Sequence, residues 1–230
     1  SEPPGPPERR LEGTRIAIAR DAAFAFIYRA NLDLLQAMGA DLVFFSPLID
    51  SHLPQADAIW LPGGYPELHG AILAANTGLL EDIRGHHQAG KPILAECGGL
   101  MACCDRLIDR NGDPHRVLGL MPGHAEMADR LQALGLQGLA TTDGELRGHT
   151  YHHSRLVTDW QPLARTRKVA GTEAEPVFSH HGLVASYFHG YFPSAPAVVA
   201  RIFRGEPIEP KEKNNGSSLS CSAAIQRLIP

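Results

Sequence analysis

The chain has 230 residues, 43% of them hydrophobic, and a formal net charge of −4 with lysines and arginines scattered along its length. That suits one domain with tails, and it offers no basic patch for nucleic acid or an anionic membrane surface. No apolar run approaches the ~20 residues of a membrane span and no signal-peptide core opens the chain. The four cysteines, Cys97, Cys103, Cys104 and Cys221, show no CxxC spacing, so a reduced, cytoplasmic setting is expected.

Residues 1–13 carry four prolines and several charges and read as a linker remnant. Residues 15–19 form the first expected strand. The segment 21–28 is aromatic-rich and suited to a site or an interface. Leu32, Leu34, Leu35 and Met38 then give a helical apolar face closed by Gly39. Further strands are expected at 41–45 and 58–61, the latter running into Gly63-Gly64, where Pro66 and Glu67 have helix-start chemistry. A helix over 79–88 leads to the short apolar strand 93–95. Strand and helix alternate here, which implies an α/β fold with a mostly parallel sheet flanked by helices. Strands at 134–140, 148–157, 176–179 and 183–188 suggest an additional, partly antiparallel region, and 196–204 a last helix. The domain is set at 14–205, and 206–230, which turns polar and contains glycine and serine, is read as a flexible tail.

Sites in such sheets gather at the carboxyl ends of the strands. Cys97 ends a buried strand and is followed by Gly98-Gly99 and a helix-compatible segment. This is the pattern of a strand–nucleophile–helix elbow, and the helix start would lower the thiol pKa. An unpaired cysteine is also a good small core hydrophobe, so the stretch alone leaves both readings open. Backbone N–H groups of Gly98 and of the Gly63-Gly64 turn suit an oxyanion. Among twelve histidines, His189 stands out because it closes the apolar run 183–188 and precedes Gly190. His149, His152 and His153 could form a metal cluster, but strand alternation places His149 and His153 on one face and His152 on the other. His149, His152 and His153 are therefore read as polar strand residues near a substrate channel, with no metal expected. His86-His87 and His180-His181 read as solvated residues, and Cys103 and Cys104 as packing residues on the helix after the elbow.

Four spaced segments carry a resemblance: 60–69 (WLPGGYPELH), 95–101 (AECGGLM), 147–154 (RGHTYHHS) and 185–192 (ASYFHGYF). In order and in register they resemble the glutamine amidotransferase domain of the cobyrinic acid a,c-diamide synthase family, with support from 18–24 and 43–47. The resemblance implies a flavodoxin-like, class I (Cys–His) amidotransferase fold. It implies that Cys97 attacks the side-chain amide of L-glutamine, that His189 activates the thiol, and that Gly64 and Gly98 hold the oxyanion. Gly63, His149, His152 and Ser154 would contribute to the glutamine site, and Arg130 would bind the α-carboxylate.

The same resemblance implies an ATP-dependent corrinoid synthetase domain, upstream in the same polypeptide or as a subunit. ATP and Mg2+ would belong there, and no cofactor to this chain, which has no G-x-x-x-x-G-K-[ST] stretch. Ammonia would amidate the a and c carboxylates of cobyrinic or hydrogenobyrinic acid in cobalamin biosynthesis. One departure concerns the base: many class I enzymes carry His-x-Glu, whereas Tyr191 stands two after His189. Glu96 is expected to point away from Cys97, which leaves the imidazole without an orienting acid. Rival readings are a sister amidotransferase (cobyric acid synthase, nickel-sirohydrochlorin diamide synthase, a lipid II glutaminase subunit) or a non-catalytic or redox-sensing cysteine-elbow domain.

Overall fold

Short apolar runs punctuated by glycine and proline build one side of the main sheet. These are β1 (Arg15–Ala19), β2 (Asp41–Phe45), β3 (Ala58–Leu61) and β4 (Ile93–Glu96). All positions of β3 and β4 are buried, as fits strands covered by helices on both faces. The intervening helices are α1 (Arg29–Ala37), α2 (Gly70–Ala75) and α3 (Thr77–Gln88). Along α3 the buried residues Leu79, Leu80, Ile83 and His86 make one stripe, the 3.6-residue period of a helix lying on a sheet. After the elbow comes α4 (Gly98–Cys103). The computed structural model describes Gly5 and residues 7–211.

The second half is richer in strands than its sequence suggests. It holds β5 (Cys104–Ile108), β6 (Pro114–Arg116), β7 (Met121–Met127), β8 (Ala133–Thr141), β9 (Gly144–His152) and β10 (Ser154–Val157). Then come β11 (Ala164–Lys168), β12 (Glu173–His180), β13 (Leu183–Ser186), the two-residue β14 (His189–Gly190) and α5 (Pro196–Arg204). The main sheet has ten strands in the order β14-β9-β8-β11-β12-β13-β4-β3-β1-β2. From β2 to β13 every pairing is parallel, and from β13 out to β14 every pairing is antiparallel. Only Tyr187 and Phe188 separate β13 from β14 in the chain, so the antiparallel half curls round until its far edge meets its own beginning. That curl brings β9 over the elbow. A smaller sheet, β10-β7-β5-β6, was not expected from sequence.

Two apolar layers cover the main sheet, one around Phe24, Leu61, Leu79 and Leu100, the other around Trp60, Phe192, Val199 and Phe203. In the second, Trp60 packs on Phe192 at 4.8 Å between ring centroids, and Phe192 on Phe203 at 5.9 Å. Several expectations change here. Cys104 opens β5 rather than continuing the helix. His86 is buried, with Nε2 on the Pro92 carbonyl at 3.1 Å, because its helix face packs on the sheet. Leu11 is fully buried and donates its N–H to Met38 O at 2.9 Å. Ile208 is buried too, and the N–H of Lys211 donates to Ala140 O at 3.0 Å. The packed chain thus reaches past 14–205 on both sides. The remainder of the expected tail, 212–230, lies outside the described residues. Among those described, no helix is long and apolar enough to cross a membrane.

Candidate active site

Cys97 has φ 48° and ψ −103°, a left-handed conformation that a non-glycine residue rarely adopts without functional reason. Its N–H donates to Ser186 O at 2.8 Å and its carbonyl accepts from the Met101 N–H at 3.0 Å. The side chain is thereby raised at the end of β4 beside the end of β13, as the elbow pattern predicts. Packing enforces small neighbours. A Cβ at Gly98 would lie 3.0 Å from Gly64 N and 2.9 Å from Pro66 Cδ, so the two glycine turns press together next to the sulfur.

A cavity of about 230 Å³ opens over Cys97, lined among others by Gly64, Glu67, Arg110, Tyr151, His152 and Ser154. The thiol is nearly buried and faces the Tyr151 carbonyl at 3.7 Å. Burial pushes its pKa up to about 12; the Gly98 N–H opposes this, and Glu67, Glu175 and Glu96 reinforce it. The expected acidification by the helix start is overturned: α4 is short, and desolvation in acidic company outweighs one N–H.

Ser186, bonded to Cys97, stands three residues before His189. The imidazole is buried and sits against Gly63, where any Cβ would collide with its Cε1. His149 stacks on it at 4.8 Å and 7°, Phe26 meets it at 4.9 Å, and the Tyr28 hydroxyl pairs with His149 Nδ1 at 3.0 Å. Burial first, then His149 and His152, push the His189 pKa down to about 3. At neutral pH burial therefore leaves both groups uncharged in the free chain, one a thiol and the other a neutral imidazole.

The structure sorts the remaining expected residues. Gly64, His152 and Ser154 line the Cys97 cavity, whereas Gly63 and His149 serve the face of His189. His149 also lines a separate, larger cavity with Tyr28, Arg147 and Tyr191. His152 is held by Glu175 Oε1 at Nε2 and by Ser154 O at Nδ1, both at 2.9 Å, and stacks on Tyr187. With both nitrogens engaged, it is fixed as part of the cavity wall. Arg130 is exposed and is not among the residues lining the cavity. The arginine that does line it is Arg110, just after β5, and Glu67 lines it too. Glu67 is buried and its pKa is raised by that burial, against the pull of its own N–H and of Arg110. Sequence reasoning missed both as site residues: Glu67 read as a helix start, and Arg110 falls in the turn between two strands of the unrecognised smaller sheet.

Comparison with known proteins bears on the family and the fold. Residues 15–197 match the CobB/CobQ-like glutamine amidotransferase domain. The chain is 54% identical over 195 residues to hydrogenobyrinate a,c-diamide synthase of Stutzerimonas stutzeri, covering 84% of this chain and 45% of that protein. It is 51% identical over 201 residues to cobyrinate a,c-diamide synthase of Herminiimonas arsenicoxydans, covering 86% and 46%. The chain thus spans about half the length of the curated relatives it matches. A solved glutamine amidotransferase superposes with a TM-score of 0.53 at 17% identity over 76% of this chain and 89% of its own. PurLQS from Thermotoga maritima gives 0.51 at 16% identity over 84% and 93%. The parallel half-sheet, the strained cysteine at its carboxyl edge and a family match over most of the folded residues converge: the chain belongs to the CobB/CobQ-like glutamine amidotransferase domain family.

Proposed function

We propose that this domain hydrolyses L-glutamine through Cys97 and hands the ammonia to an ATP-dependent synthetase half. That half would amidate the a and c carboxylates of cobyrinic or hydrogenobyrinic acid. The observation that carries the reading is Cys97 in its left-handed elbow, hydrogen-bonded to the strand end that leads to His189. In the proposed cycle the sulfur attacks the γ-carbonyl carbon of glutamine while His189 takes the thiol proton. The tetrahedral oxyanion rests on the N–H groups of Gly64 and Gly98. His189 then returns the proton to the leaving nitrogen, the C–N bond breaks, and a γ-glutamyl thioester and ammonia remain. Water attacks the thioester with His189 as base, releasing glutamate and restoring the thiol.

Glutamine brings an α-ammonium and an α-carboxylate, and the cavity offers Glu67 and Arg110 as complements. ATP and Mg2+ are assigned to the synthetase half. The names of the relatives favour the a,c-diamide synthase reaction over that of a sister amidotransferase. The test is glutamate release from L-glutamine by the chain and by Cys97→Ala, with and without the synthetase half. Activity that needs Cys97 supports the reading. Silence with the partner demonstrably bound leaves a docking or redox-sensing domain.

A further inference from the structure

Among the described residues no hydrogen bond or ion pair joins a carboxylate to the His189 ring, yet Gly190, the residue after it, is held from two sides by buried polar side chains. Glu96, the residue before the nucleophile, is buried, and its Oε2 accepts the Gly190 N–H at 2.7 Å. Its Oε1 accepts the Trp60 indole N–H at 2.7 Å, which fixes the carboxylate in turn. Asn31 is also buried: its Nδ2 donates to Gly190 O at 2.9 Å, and its Oδ1 accepts the Phe192 N–H at 2.8 Å. Both polar groups of Gly190, the residue next to His189, thus end on buried side chains. A Glu carboxylate buried to this degree is costly to keep, and burial raises its pKa to about 7 against both hydrogen bonds.

Resting on the amidotransferase reading above, we propose that Glu96 and Asn31 form a clamp on Gly190 that positions the His189 imidazole, taking the place of the missing His-x-Glu acid. The ring needs no partner of its own because the peptide after it cannot rotate. Its remaining freedom, about the side-chain torsions, is closed by His149, Phe26 and the bare face of Gly63. Glu96 and Asn31 are positioning residues: neither reaches the sulfur. Their placement ties nucleophile and base together, since Glu96 is covalently next to Cys97 and hydrogen-bonded to the residue after His189.

The test is Glu96→Gln in the full chain. A glutamine keeps the shape but offers one oxygen to two donors, and its amide faces the other donor. The expected result is a fall in kcat for glutamine hydrolysis of roughly 10- to 100-fold, as for a displaced catalytic group. KM should stay within about twofold and the melting temperature close to that of the parent. In imidazole NMR spectra the His189 resonances, assigned with His189→Asn, should move while those of His152 stay. An unchanged kcat, or a fall in kcat with His189 resonances unmoved, overturns the clamp. Should Glu96→Gln fail to fold, Asn31→Asp takes its place, since it keeps the acceptor for Phe192 N–H and sets an oxygen against Gly190 O. The same kcat loss supports the clamp and wild-type kcat overturns it. A parent chain that releases no glutamate in any condition counts against the amidotransferase reading, and the resonance shifts still decide the clamp.

Discussion

At Cys97 and His189 burial decides the charge states, and both come out neutral. A thiol pushed up to about 12 is almost wholly protonated at neutral pH, so in the free chain it should react slowly with iodoacetamide. The rate should climb roughly tenfold per pH unit between pH 8 and 11, tracking thiolate; a mass-spectrometric time course against the denatured chain measures it. A fast neutral reaction would mean that the sulfur is ionised in the resting state. For His189 the linkage has the opposite sense. Its folded pKa, about 3, lies below the unfolded value near 6.5, so the unfolded chain binds the extra proton. The contribution of this residue is present in full above pH 6.5 and is lost as pH falls towards 3. Urea unfolding of the parent should lose about 3 kcal/mol more between pH 7 and pH 4 than that of His189→Asn; parallel losses refute the assignment. The role of Glu67 is equally open to measurement. Glu67→Gln should raise KM for glutamine and abolish the preference for glutamine over glutaramate, which lacks the α-amino group, while kcat falls little.

Among the elements, the turn after β3 and the helix α5 carry the site in different ways. Gly63 is required by contact, because any side chain there displaces the His189 ring. Gly63→Ala should lower kcat roughly 100-fold with little loss in unfolding free energy, since the colliding atom belongs to a side chain that can swing. Helix α5 acts through packing. Phe203 closes the layer over Trp60 and Phe192, and Phe203→Ala should cost about 3–5 kcal/mol in chemical denaturation. These elements were legible from sequence for a physical reason. Strands buried on both faces are apolar throughout, and α5 has a clean apolar face behind Pro196 at its start. The smaller sheet was not legible. Pro114–Arg116 is three residues of polar edge, and β7 contains Pro122 and Gly123, so neither shows the alternation by which strands are recognised. Arg110 went unseen with them. Glu96 and Asn31 escaped for another reason: their partners lie 94 and 159 positions away along the chain, a distance that no local pattern spans.

For the whole molecule, the curl of the sheet explains how one chain assembles a site from distant segments. The parallel half supplies Cys97 and, with Gly64 and Glu67, one side of the cavity; β9 supplies Tyr151 and His152 on another, and β13 with β14 leads to His189. The resting thiol faces the Tyr151 carbonyl of β9, so the antiparallel half reaches the nucleophile itself. Under the proposed function, glutamate release should rise at least about tenfold when the synthetase half is added, with kcat rather than KM carrying the change. Equal kcat with and without the bound half would show that docking does not activate the site.

The strand order has one more consequence, for how the molecule meets copies of itself. A sheet can be extended only at its two margins, and unpaired margins template aggregation. Here one margin is β14, whose two residues offer too little backbone for another strand to add. The other is β2, five residues long, with Phe44 partly exposed and the Arg20 guanidinium 5.1 Å over its ring. Among the described residues, β2 is thus the border of this sheet along which a whole further strand could add, and a charge stands guard over it.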